Sequence, residues 1–139
     1  MKKIVFLIVA IVVTFAPVFA RNWVEVAKKV YIDADSVEPY IDEFNRQKSS
    51  EYIYWSKELN NGSQGYKDLE KDYNKKVWYT LNREIVSCSQ KTLTLKVMVV
   101  YDLKGNLIEK TEVPSYAMQP SSVVPDSLGE LLFNSICGG

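Results

Sequence analysis

Apolar and polar residues alternate one for one along much of this chain, the period of a half-buried strand. Two short runs of β-branched and aromatic residues, NWVEV (22–26) and KVYID (29–33), are separated by Ala27 and Lys28 and predict a hairpin. The stretch ADSVEPYIDEFNRQKSS (34–50) contains Pro39 among mixed polar residues and predicts a loop, with one helical turn near Tyr40 to Phe44. EYIYWSKEL (51–59) suits a pleated, half-buried surface and predicts a strand. NNGSQGYKDLEKDYNKK (60–76), with two glycines, adjacent asparagines and dense charge, predicts a solvated loop projecting from one end of the sheet.

The clearest pattern lies between residues 75 and 113. KKVWYTLNREIVSC (75–88) and SQKTLTLKVMVVYD (89–102) are two long strand-like runs. In the second, Leu93, Leu95, Val97, Val99 and Tyr101 alternate with Thr92, Thr94, Lys96 and Met98, so one face belongs in the core and the other is wetter. DLKG (102–105) places Asp first and Gly last, as in a type I turn with a left-handed glycine. NLIEKTEV (106–113) then returns as the third strand of a meander, and PSYAMQPSSVVPD (114–126) carries the chain across to the apolar face. In SLGELLFNSIC (127–137), Ser127 and Glu130 form a capping-box signature, and Leu128, Leu132, Phe133, Ile136 and Cys137 share a broad helical face. Pro125 precedes this segment, and Gly138 and Gly139 follow it. The pattern therefore predicts an α+β fold: a single antiparallel sheet, a meander in its second half, with a C-terminal helix on its apolar face.

The first twenty residues, MKKIVFLIVAIVVTFAPVFA, change the picture of where this happens. Lys2 and Lys3, an apolar run from Ile4 to Val13, and Val18 and Ala20 before the cut read as a signal peptide removed after Ala20. The run is short of the ~20 residues that span a bilayer. What remains is residues 21–139, expected to be one domain, with no transmembrane segment and no cysteine at its start to carry a lipid anchor. Two of the 17 basic residues leave with the leader, so the balance against 17 acidic residues becomes −2. Such a balance argues against nucleic-acid capture. Export places Cys88 and Cys137 in an oxidising compartment, where an even pair is most simply a disulfide; two free buried thiols are the alternative. A bond between them would pin the C-terminal helix to the strand ending at Cys88.

Several of these features together resemble the surface-adhesin E (protein E-like) family of exported bacterial proteins. They are WVEV near the start of the exported part, YIDADS (31–36), the strand ending in Cys88, the hairpin with Gly105, and PDSLGELLFNSIC (125–137). The matching positions are Trp23, Asp33, Ser36, Cys88, Pro125, Ser127 and Cys137. The resemblance spans nearly the whole exported part and implies about six antiparallel strands, a C-terminal helix paired through the two cysteines, and binding of host extracellular-matrix or cell-envelope proteins. The polar segments 34–50 and 60–76 are longer than that family's usual connections.

Catalytic chemistry is thinly represented. There is no histidine, hence no imidazole base or ligand. Neither a Cys-x-x-Cys, a Gly-x-Ser-x-Gly nor a phosphate-cradling glycine loop occurs. Asp33 and Asp35 form an Asp-x-Asp pair without the glycine and spacing of a calcium loop, and read as a strand-end turn. Asn61, Gly62 and Ser63 match a glycosylation acceptor but read first as a turn. The surplus is aromatic: Tyr52, Tyr54, Trp55, Trp78 and Tyr79 lie on predicted strands where adjacent residues point to opposite faces, so some of them are expected in a ligand-binding surface. The expectation is a non-enzymatic binding protein with no cofactor or metal, located in the periplasm, at the cell surface or outside the cell. Its partner would be a protein ligand or a second copy of the chain paired through a sheet edge. The alternatives are a small periplasmic enzyme or inhibitor acting through loop carboxylates, and a structural envelope component.

Overall fold

The computed structural model describes residues 21–138, so the expected signal peptide lies outside the described residues. Eight strands form one antiparallel sheet: β1 (Trp23–Ala27), β2 (Val30–Asp33), β3 (Glu38–Ile41), β4 (Gln47–Leu59), β5 (Val77–Ser87), β6 (Thr92–Asp102), β7 (Leu107–Glu112) and β8 (Ser121–Ser122). Their order is β1-β2-β4-β5-β6-β7. The sheet is thus six positions wide, and two short strands complete its rims. β4 takes β2 beside Ser56 to Glu58 and β3 beside Gln47 to Ile53 on the same edge; β6 takes β7 beside Val97 to Tyr101 and β8 beside Thr92 and Leu93. Helices α1 (Gln64–Tyr73) and α2 (Leu128–Cys137) complete the fold.

The expected hairpins form where their turn residues allow. β1 and β2 turn through Lys28 and Lys29, with Lys29 at φ 64°. The β6–β7 turn closes as its Asp and Gly predict, Gly105 sitting at φ 78° and donating its N–H to the Asp102 carbonyl at 3.0 Å.

Two expected loops are ordered elements instead. Residues 34–50 contain a 3-10 turn (Ala34–Ser36), all of β3 and the start of β4, and Tyr40 lies in a strand rather than a helical turn. Pro39 fits because β3 is an edge strand, where a missing N–H breaks no ladder on the outer side. The β3–β4 turn is built by Asp42, whose Oδ1 accepts the N–H groups of Phe44 and Arg46 at 2.9 Å each, and by left-handed Asn45. Ser36 ties this segment to the sheet, since its Oγ accepts the Trp55 N–H at 2.9 Å. Residues 60–76 contain α1, whose charged outer surface conceals an apolar face centred on Tyr66 and Leu69. Asn74, left-handed at φ 49°, ends it.

Both helices cover the same face of the sheet. α2 buries Leu132 and Phe133 against Val30, Ile32, Tyr54 and Val86, with Leu93, Ile136 and Cys137 at the margin. α1 buries Tyr66 against Val77 and Val100. Tyr54 and Glu58 point the same way from β4, and Glu58 pairs through Thr80 to Val100, so the two clusters share one side. Leu128, expected on the apolar face of α2, stands at the helix entrance and is exposed. Ser127 caps that entrance, its Oγ accepting the Glu130 N–H at 3.3 Å.

The even alternation expected along β6 is broken. Arg83 pairs with Val97 but Glu84 with Leu95, leaving Lys96 as an extra residue in a bulge. Parity reverses there. Leu93 faces the helices, whereas Val97, Val99 and Tyr101 face the other way and Met98 and Val100 take over on the helix side. Ahead of the bulge the faces are as expected but the burial is not: Thr94, expected wet, is buried on the side away from the helices, and Leu95, expected in the core, is exposed although it shares the helix side with Leu93. The Cys88–Cys137 disulfide forms, with Cα atoms 5.5 Å apart, and joins the last residue of α2 to the residue after β5. Closing a loop of 49 residues contributes about 4 kcal/mol in the chain-entropy account.

Candidate functional site

The face turned away from the helices carries most of the aromatic surplus. Trp55 points to it from β4, and its row across the sheet contains Trp23, Arg83 and Val97. The next row holds Tyr31, Lys57, Leu81 and Val99; the one after holds Leu59, Tyr79 and Tyr101. Neither helix lies here, and the rings are half-buried beneath cationic side chains rather than beneath a second layer. The guanidinium of Arg83 is 5.4 Å from the Trp55 ring centre and that of Arg21 is 5.6 Å away. The Lys57 ammonium is 4.5 Å from the centre of Tyr79 and 5.7 Å from that of Trp23. Tyr79 stacks on Tyr101 at 4.7 Å. Cations held over ring faces near the surface in this way contribute modestly to stability, about 0.5–1 kcal/mol each. Their arrangement keeps large aromatic surfaces ready at little further cost in side-chain entropy.

Of the five aromatic residues expected to bind a ligand, the structure brings only Trp55 and Tyr79 together on this open face. Tyr54 has no exposed surface and is a core residue; Tyr52 packs beside it against the same cluster. Trp78 occupies a bulge at the start of β5, next to Tyr79 at 5.1 Å, and stands at the end of the sheet by the β6–β7 turn. The residues that sequence reasoning passed over are Trp23, Tyr31, Lys57, Arg83 and Tyr101. Two-residue periodicity would place Lys57 beside Trp55, but the others join only through strand pairing.

Farther down the same face, the β3–β4 turn and residues 115–120 overhang the sheet. A cleft of about 260 Å³ lies between them, floored by Ile85 and Thr94 and walled by Tyr40, Phe44, Arg46 and Met118. Segment 114–126 is thus more than a crossover, since Ser115, Met118 and Pro120 line this cleft. Asp33, by contrast, is fully engaged: Oδ1 accepts the N–H groups of Asn22 and Asp35 at 3.2 Å each, and Oδ2 faces Arg21 at 3.5 Å. It organises the strand-end turn. Among the described residues no cluster of three or more potential metal ligands occurs.

The architecture has solved counterparts. A structure of Haemophilus influenzae protein E superposes with a TM-score of 0.52 at 18% identity, over 83% of this chain and 83% of that one. The fold is that of protein E. A second crystal form gives a TM-score of 0.52 at 15% identity, over 83% of this chain and 86% of that one. Protein E from non-typeable H. influenzae gives 0.51 at 17% identity, over 87% and 79%. No family model and no curated protein matches the chain. At such identities the protein E fold is what is shared.

Proposed function

We infer that this is an exported, non-catalytic binding protein that engages a host extracellular-matrix or cell-envelope protein through the open face of its sheet. One observation carries this reading: Trp23, Trp55, Tyr79 and Tyr101 occupy a sheet face on which neither helix packs, interleaved with Arg21, Lys57 and Arg83. Tryptophan, tyrosine and arginine are the residues that dominate binding energy at protein interfaces. The protein E fold, the disulfide, and the lack among the described residues of any helix able to cross a membrane all fit an exported protein. The signal peptide expected over residues 1–20 supports the same reading.

The test is a binding screen against immobilised matrix and envelope proteins at physiological salt, run beside a hydrolase screen. The partner found should lose affinity by about 30-fold or more with Trp55→Ala or Tyr79→Ala, as for a central interface residue. Circular dichroism of each variant guards against misfolding. Turnover of a substrate in the absence of any partner would overturn the reading, as would a partner indifferent to both substitutions.

A further inference from the structure

At the end of the sheet remote from the disulfide, the α1–β5 connection and the β6–β7 turn form a tip of unusual composition. Leu103, Leu107 and Trp78 are 62%, 56% and 45% exposed there. Lys75, Lys76, Leu103, Lys104, Asp102 and Asn106 surround a shallow depression of about 420 Å³. The turn lies against the indole, since a β-carbon on Gly105 would be 3.9 Å from Trp78 Cζ3. Apolar projections, an amphipathic indole and lysines therefore stand together at one extremity.

The charges on this tip are unequally committed. Asp102 directs Oδ1 into its own turn, accepting the N–H groups of Lys104 and Asn106 at 2.9 Å each. Glu70 accepts the Val77 N–H at 3.1 Å and lies 3.9 Å from Lys76. Lys75 and Lys104 make no ion pair among the described residues. The acidic groups thus serve mainly the backbone, while Lys75 and Lys104 keep their charge unpaired and Lys76 is held only by the long contact with Glu70.

We propose that this tip docks the protein peripherally on an anionic phospholipid surface, with Leu103 and Trp78 entering the headgroup boundary and Lys75, Lys76 and Lys104 meeting the phosphates. The chemistry favours a lipid surface over a shaped acidic protein. The apolar groups stand exposed on a turn at the extremity of the sheet, ringed by lysines, and flexible lysines suit a fluid layer of phosphates that imposes no fixed geometry. Trp78 belongs at such a boundary, with its ring in the apolar layer and its N–H in the polar one. The rigid Asp102 turn presents Leu103 already ordered, so insertion sacrifices little chain entropy. This contact is independent of the proposed protein-binding face.

The experiment is co-sedimentation of the purified protein with vesicles of phosphatidylcholine alone and of phosphatidylcholine mixed with phosphatidylglycerol, every variant sharing one N-terminus. Binding is expected only to the mixed vesicles. It should weaken as salt rises from about 0.1 M to about 1 M, where the screening length falls from about 10 Å to about 3 Å. Replacing Lys75, Lys76 or Lys104 by Gln should each lower partitioning about fivefold, and Leu103→Ser about tenfold without any change of charge. Brominated lipid should quench tryptophan fluorescence, and Trp78→Phe should remove that quenching. Trp55→Ala should leave partitioning unchanged. Absence of binding to mixed vesicles, or binding that survives the lysine and Leu103 substitutions, overturns the proposal. So does capture of soluble polyglutamate by the same lysines without vesicle binding, which would assign the tip to an acidic polypeptide.

Discussion

Tyr54 and Glu84 show how much one pair of side chains can depend on its place in the sheet. Tyr54 is fully buried and donates its hydroxyl proton to Glu84 Oε2 at 2.6 Å. Burial pushes the Glu84 carboxyl above the usual range; the Tyr54 hydrogen bond pulls it back in part, and the charge of Glu58 raises it further. Glu58 itself is raised by burial. Folded protein therefore holds protons that the unfolded chain releases from about pH 4.5 upward, the ordinary value for a glutamate. Stability must fall as pH climbs from there through the raised values, and level off above them. Glu84→Gln keeps an acceptor for Tyr54 and removes the charge. It should raise the melting temperature at neutral pH and flatten the decline, and thermal melts across the acidic range check this; parallel profiles for variant and parent would contradict it. Tyr54→Phe leaves the buried carboxylate without its donor and should cost about 1–3 kcal/mol by urea titration. That Tyr54 and Trp55 face opposite ways is plain from their adjacency. Which of them is core was not legible in the sequence, because both are aromatic and the choice is made by Val30, Ile32 and Val86, which lie on other strands.

Among the elements, α2 was legible almost residue by residue and α1 not at all. Ser127, Glu130 and the apolar spacing that follows mark α2 locally, and the structure uses Ser127 as its cap. In α1 the spacing of Tyr66, Leu69 and Tyr73 is a faint apolar trace, and it is submerged by Lys67, Asp68, Lys71 and Asp72 on the solvent side. The helix exists because Tyr66 has a site to fill: its hydroxyl donates to the Glu58 carbonyl at 2.8 Å and lies 3.1 Å from Thr80 Oγ1. Burial there pushes the Tyr66 phenol up to about 12. The bulge at Lys96 was equally hidden, because nothing in an alternating run announces where pairing will slip. α2 still carries one weak position. A β-carbon on Gly129 would meet Leu93 Cδ1 and Ser127 Oγ at 3.5 Å, ordinary contact distances. Gly129→Ala should therefore stabilise the protein by about 0.5–1 kcal/mol through helix propensity, measured by urea denaturation. A loss of stability would show that the contact with Leu93 is too tight.

For the molecule as a whole, the disulfide joins the helix-bearing layer to the sheet at one end only. Reduction should loosen α2 before the sheet, and hydrogen exchange checks this: amides of residues 128–137 should lose protection while those of β4, β5 and β6 keep theirs. Protection in α2 that ignores reductant would contradict the arrangement. The meander, the helix cover and the cysteine pairing were all readable from the chain, because each rests on local spacing or on the presence of just two thiols. The open aromatic face was not, since it is assembled from five strands at once. The way β4 and β6 each receive two short partners along a single edge has a further effect. Each rim of the sheet is cut into segments of two to six residues, set by β1, β3, β7 and β8. A long unpaired rim is a template on which identical chains stack into fibres. Interrupted rims leave only short footholds for such stacking, so an aromatic face can be displayed without a continuous bare edge beside it.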